Sequence, residues 1–188
     1  MSYIEKINSY LNTLTETIKK LDRAEIEKAI VCLKNARDTG RFIYSMGNGG
    51  SAATASHFAG DFNKGLSLGR KKRFKFIALN DNLPTILSLA NDVSYESIFV
   101  EQLKNFLQPG DVIVAISGSG NSTNIVNGVS WAKEHGGIVI GLTGYSGGKL
   151  FELSDIHLHV PIDNMQIVED LHMVFDHLMM SVICEETE

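Results

Sequence analysis

The sequence predicts an α/β protein built on a parallel sheet, and three features of the chain predict it. From residue 41 onward, short apolar strands alternate with helical stretches through brief connections. Two of those connections are rich in glycine and lead directly from a strand into a helix. A long helical stretch then closes the chain.

Residues 3–38 read as two helices. Ile4, Ile7, Leu11, Leu14 and Ile18 recur at three- and four-residue steps and make one apolar stripe. Asp22 caps a second helix carrying Ile26, Ala29, Ile30 and Leu33, and Gly40 ends it. Residues 41–46 form the first strand, followed by a glycine turn and a helix over about 51–63. Residues 74–79 form the second strand, and 83–89 and 95–107 are helical. The third strand, 111–116, is almost continuously apolar, which predicts burial on both faces. A helix starts at Asn121 or Ser122 and runs to about 135. Residues 137–142 make the fourth strand, 156–160 an alternating fifth, and 165–184 the final helix. Such βαβ units require right-handed crossovers. No linker, repeat or low-complexity segment divides the 188 residues, so a single domain is expected. The helices of residues 1–38 exceed what the sheet can cover, which predicts a helical subunit interface.

Composition narrows the function. A hydrophobic fraction of 44%, 21% charged residues and a net charge of -5 describe a soluble globular chain without a basic field for nucleic acid or an anionic membrane. The one basic run, Arg70 to Arg73, reads as a solvated loop. Cys32 and Cys184 share no motif spacing and sit in apolar helical patterns, as reduced core thiols do. The first residues lack the basic and apolar regions of a signal peptide, and no apolar run nears the ~20 residues of a membrane span. A cytoplasmic location is expected.

In an open parallel sheet, ligands bind beyond the carboxyl ends of the strands. Gly47-Asn48-Gly49-Gly50-Ser51 and Ser117-Gly118-Ser119-Gly120-Asn121-Ser122 both fall there. Glycine lets the backbone approach a ligand, successive N–H groups form an anion-binding concavity, and the following helix N-terminus adds free donors. Serine hydroxyls add more. Neither loop ends in Gly-Lys-Ser/Thr, so this is no nucleotide P-loop. The 117–122 loop is the stronger phosphate cradle, and the 47–51 loop suits sugar hydroxyls.

Acid–base groups flank these loops. His57 and Asp61 stand four apart on the helix after the first loop and share a face. On the final helix, Glu169 and His177 are eight apart, on roughly one face with a rise of about 12 Å between them. A carboxylate to take an α-proton and an imidazole to pass protons between oxygens suit a carbonyl migration between C1 and C2 of a sugar. The same side chains suit a divalent metal. His135, His157 and His159 read as surface or satisfied core histidines, and Asp170 and Asp176 as solvated or capping charges.

The run from Met46 to Ser51, His57-Phe58-Ala59, and the run from Ile116 to Ser122 together resemble the SIS (sugar isomerase) fold, and within it the phosphoheptose isomerase family. Asn91-Asp92, Gly141 to Gly144 with Gly147-Gly148, and Val160-Pro161 extend the resemblance over about 3–185. It implies a three-layer α/β sandwich with a five-stranded parallel sheet, N-terminal helices and a long C-terminal helix. It implies a homotetramer with sites at subunit interfaces and one zinc ion per site. The activity implied is interconversion of sedoheptulose 7-phosphate and D-glycero-D-manno-heptose 7-phosphate through an enediol. By matching positions, Asn48, Gly49, Gly50, Ser51, Asn91 and Asp92 contact sugar, while Ser117, Gly118, Ser119 and Ser122 line the phosphate site. His57, Asp61, Glu169 and His177 fall at the metal positions, with Asp61 or Glu169 as base and His177 as acid. Asp61 stands where the family has glutamate, Glu169 where it has glutamine, and Gly118 where it has threonine. A catalytically silent relative that binds the replication initiator, or a sugar-phosphate sensor, is the alternative. The former lacks the carboxylate and histidine that Asp61 and His177 supply here, and the latter is generally fused to a DNA-binding domain.

Overall fold

The computed structural model describes residues 1–185. Its five strands are β1 (Phe42–Gly47), β2 (Lys75–Ala78), β3 (Val112–Ser117), β4 (Ile138–Thr143) and β5 (Ile156–His159). They form one all-parallel sheet in the order β2-β1-β3-β4-β5. The strand order reverses between β1 and β3, which is where an open α/β sheet parts its loops to admit a ligand. Both glycine loops leave these two neighbouring strands.

The helices are α1 (Tyr3–Ile18), α2 (Arg23–Thr39), α3 (Gly50–Gly60), α4 (Leu83–Asp92), α5 (Val100–Phe106), α6 (Thr123–Glu134), α7 (Gly148–Leu153) and α8 (Met165–Cys184). One face of the sheet packs on α2, α3 and α8 through Leu33, Phe58, Phe62, Leu171 and Phe175. The other packs on α5, α6 and α7 through Phe99, Leu103, Val129 and Leu150. Two apolar layers on one sheet are the expected three-layer sandwich. Every residue of β3 is buried, while β5 alternates, as their sequences predict. At the amino edge, buried Asp111 accepts hydrogen bonds from the Phe42 and Gln108 amides, tying β1 to β3.

Several expectations hold in detail. Asp22 accepts from the Ala24 and Glu25 amides, and Gly40 ends α2 with φ 71°. Others need correction. The helix expected to run to residue 63 stops at Gly60 and becomes a π-helical turn, Asp61–Gly65, in which the Leu66 amide reaches back to the Asp61 carbonyl. The wider turn keeps Phe62 and Leu66 buried and makes Asp61 its first residue. The helix expected over 95–107 is a 3-10 turn, Tyr95–Ser97, followed by α5. The sequence predicts no element between residues 142 and 156, where the structure has the six-residue α7. Cys184 is exposed rather than in the core, and Cys32 is half-buried; both are free thiols. The basic run is a surface segment, with Arg70 donating to the Cys184 carbonyl, Lys72 paired with Asp38, and Arg73 donating to the Ser67 carbonyl.

Among the described residues, no helix is long and apolar enough to cross a membrane.

Candidate active site

Side chains of Ser2, Asp22, Asn82 and Asn164 cap α1, α2, α4 and α8. The helices that follow the two glycine loops, α3 and α6, have no side-chain cap. In the first turn of α6 the Ile125 amide donates to Asn124 Oδ1. Both helices start at the carboxyl edge of the sheet, where helix N–H groups without an internal partner can donate to an anion or hydroxyl.

The 117–122 loop after β3 is held from two sides. Ser117 Oγ donates to Ser122 Oγ over 3.2 Å, and Ser119 Oγ accepts from the Asn121 amide. A third glycine-rich segment, 144–148, braces it from the β4 side. The Gly144 amide donates to Gly118 O and the Leu150 amide to Gly120 O, each over 2.9 Å. Gly120 has φ 67°, and a Cβ there would collide with the Gly147 carbonyl. This position requires glycine on both grounds. Gly118 also has a local reason: a Cβ at 118 would lie 2.6 Å from Met165 Sδ at the start of α8.

The 47–51 loop after β1 is clamped by two asparagines that sequence reasoning missed. Asn80 accepts from the Gly47 amide and donates to the Gly47 carbonyl. Buried Asn124, in the first turn of α6, exchanges a pair of amide hydrogen bonds with Asn48, 2.8 and 2.9 Å long. The Tyr95 hydroxyl also donates to Asn48 Oδ1, over 2.9 Å. Asn48 therefore ties the 47–51 loop to α6 and keeps one amide hydrogen without a partner in this pairing. An asparagine on the buried face of an otherwise apolar helix was the available signal for Asn124. Asn91 and Asp92 lie exposed at the end of α4, hydrogen-bonded to each other and a few residues before Tyr95.

Helix α8 runs past all of these features. Met165 lies against Gly118, and Val168 against Gly144. Glu169 lies over the 47–51 loop: a Cβ on Gly50 would sit 2.8 and 2.9 Å from its two carboxylate oxygens. Two turns further on, Asp176 and His177 face α3. His57 Nε2 and His177 Nε2 are 3.1 Å apart, one ring donating to the other. His57 Nε2 is 3.6 Å from Asp61 Oδ2 and 4.0 Å from Asp176 Oδ2, and His177 Nε2 is 4.0 Å from Asp61 Oδ2. Ligand atoms of these four residues all lie within 4.8 Å of one another, a cluster that can hold a metal ion. Of the four expected metal positions, His57, Asp61 and His177 come together. Glu169 stands apart from them, and Asp176 takes part.

Asp176 corrects the expectation of a solvated or capping charge. It is fully buried, and neither carboxylate oxygen has a hydrogen-bond partner. Burial, with Asp61 nearby, pushes its acid up to about 7. Asp170 is exposed and accepts from the Tyr10 hydroxyl. His172, on the buried side of α8, meets the Thr143 carbonyl at 3.2 Å, and its burial lowers its pKa to about 4. His135 stacks on Trp131, and His157 and His159 pack on Phe151, His157 with a buried Nδ1 that has no partner.

Comparison with known proteins agrees with this geometry. Residues 2–144 match the SIS domain family. Phosphoheptose isomerase from Aliarcobacter butzleri is 34% identical, over 99% of this chain and 94% of its own. The solved phosphoheptose isomerase from Francisella tularensis superposes with a TM-score of 0.90 at 30% identity, over 99% of this chain and 100% of its own. That from Neisseria gonorrhoeae superposes with a TM-score of 0.88 at 28% identity, over 97% and 98%. Loops, helix α8 and relatives agree, and the chain belongs to the phosphoheptose isomerase family of SIS-domain proteins.

Proposed function

We propose that this chain is an aldose–ketose isomerase acting on sedoheptulose 7-phosphate to give D-glycero-D-manno-heptose 7-phosphate. One observation carries the reading: two uncapped glycine loops on adjacent strands open toward a single helix bearing Glu169 and His177. The phosphate takes the free donors of 117–122 with the hydroxyls of Ser117, Ser119 and Ser122. Asn48, Gly49, Gly50 and Ser51 face the sugar, and Asn91 and Asp92 are assigned to it as well.

The chemistry is a balanced proton transfer. A carboxylate, Asp61 or Glu169, removes a proton from C1 of the ketose, and the C1–C2 enediol forms. The same carboxylate returns a proton to C2. His177 carries the remaining proton between the two oxygens, so that C1 ends as the aldehyde. The donor set of two imidazoles with carboxylates, one carboxylate buried and unpaired, fits a zinc ion, one per site, with His57, Asp61 and His177 among its ligands. Bound zinc supplies electrophilic polarisation of the sugar oxygens.

Ile4, Ile7, Leu11 and Ile18 on α1 are exposed, which supports residues 1–38 as a subunit interface of a homotetramer with sites at the interfaces. The whole chain acts as one domain in the cytoplasm. Incubating the zinc-loaded protein with five-, six- and seven-carbon ketose phosphates tests the function. Fastest aldose formation from the seven-carbon substrate is expected. No turnover of any of them, with or without zinc, would refute it.

A further inference from the structure

We infer that Asp176 is the fourth metal ligand of this chain, and that Glu169 is thereby left uncoordinated over the sugar loop as the base. The inference rests on the metal site of the proposed function and assigns what that reading leaves open.

A buried carboxylate with no hydrogen-bond donor is a large penalty unless a cation or a proton meets it. Asp176 is fully buried, both its oxygens lack partners, and Oδ2 faces His57 Nε2 at 4.0 Å, too long for a hydrogen bond. Tetrahedral ligands about 2.0–2.1 Å from a zinc ion stand roughly 3.4 Å from one another. The separations here run from 3.1 Å between the imidazoles to 4.8 Å at most, so small side-chain movements close all four onto one ion. Two neutral imidazoles and two carboxylates also cancel a 2+ charge. Adding Glu169 would leave the site with an excess negative charge.

Glu169 is placed elsewhere. It precedes Asp176 by seven residues, so the two share a face of α8 but stand about 10 Å apart along its axis. The Glu169 carboxylate lies against Gly50, while Asp61 lies in the ligand cluster. A carboxylate bound to a dication has given up its charge and a lone pair, which makes Asp61 the poorer base. Glu169 keeps both and faces the loop that holds the sugar.

Three full-length proteins, chelator-stripped, separate the roles: wild type, Asp176→Asn and Glu169→Gln. Each is titrated with zinc against a competing chelator and with cobalt, whose visible absorption reports coordination. Wild type should bind one ion per chain with a four-coordinate cobalt spectrum. Asp176→Asn should weaken zinc by about a hundredfold or more, the scale on which even indirect metal partners act. Its metal-free melting temperature should rise, because an unpaired buried charge is gone. Glu169→Gln should leave zinc affinity within about threefold while kcat falls by about a hundredfold, the usual worth of a general base. Asp176→Leu, an apolar residue of similar size, repeats the metal measurement should asparagine disturb the packing.

Zinc lost in Glu169→Gln but kept in both Asp176 variants overturns the inference and leaves the proposed metal site standing. Wild-type protein that binds neither zinc nor cobalt overturns the metal site as well, and turnover without metal then shows isomerisation to be independent of it.

Discussion

Replacing Gly50 by alanine tests whether Glu169 acts from its place over the sugar loop. Gly50 is the first residue of α3, and its φ is not positive, so the backbone accepts alanine. Helix propensity favours the change by no more than about 1 kcal/mol. The new methyl would lie 2.8 Å from Glu169 Oε1 and 2.9 Å from Oε2, against 3.4 Å for an ordinary contact. The carboxylate must therefore retreat by about 0.6 Å (3.4 − 2.8). Misplacing a reacting group by 1 Å can remove about a hundredfold in rate, so a loss of about tenfold in kcat is expected. The loss in kcat should exceed any rise in KM, and the melting temperature should hold or rise. Gly60→Ala, on the same helix with nothing within 4 Å of the added carbon, is the control and should keep wild-type kcat. Initial rates of aldose phosphate formation and thermal melts of both variants suffice. A Gly50→Ala enzyme with wild-type kcat, or one no slower than Gly60→Ala, would show that Glu169 does not act from this position.

Other expectations follow from the brace and from the buried histidine. Gly120→Ala should lower the melting temperature by the equivalent of about 2 kcal/mol or more, since it combines a positive φ with a collision against the Gly147 carbonyl. It should raise KM at least about tenfold by spoiling the cradle; unchanged KM for the sugar phosphate would count against that assignment. His172 titrates near its ordinary 6.5 when unfolded but at about 4 when folded. Between those pH values only the unfolded chain takes up the proton, so stability falls as pH drops from about 6.5 to 4, by up to about 3 kcal/mol. His172→Gln should flatten that acid limb in urea denaturation at pH 4.5 and 7, and an unaltered limb would show that the destabilisation arises elsewhere.

The order of strands and helices was legible because its signals are local. The stripe of α1, the Asp22 and Gly40 boundaries of α2 and the continuous apolar run of β3 each follow from side-chain period or capping. The two glycine loops were legible because few other residues fit a strand-to-helix turn that must also approach a ligand. The π turn at Asp61 was not legible, since a one-residue widening leaves the apolar spacing of Phe58, Phe62 and Leu66 helical. The six residues of α7 are too few to show a period. Within the site, His57, Asp61 and His177 converge as their helix faces imply, but Asp176 was hidden. Position 176 neighbours His177, and sequence cannot say which of two adjacent charged residues on a helix turns inward. The clamps through Asn80 and Asn124 depend on pairs 33 and 76 residues apart, which no local pattern records.

The proposed isomerisation is a proton transfer through an enediol in the cleft between the two loops and α8. Running sedoheptulose 7-phosphate over the zinc-loaded protein in deuterated water, followed by proton NMR, tests it most directly. The aldose phosphate should form with solvent deuterium at C2, because the carboxylate that returns the proton exchanges with solvent. Absence of aldose, or aldose whose C2 hydrogen is entirely the one carried over from C1 with no solvent deuterium, would rule out this proton transfer.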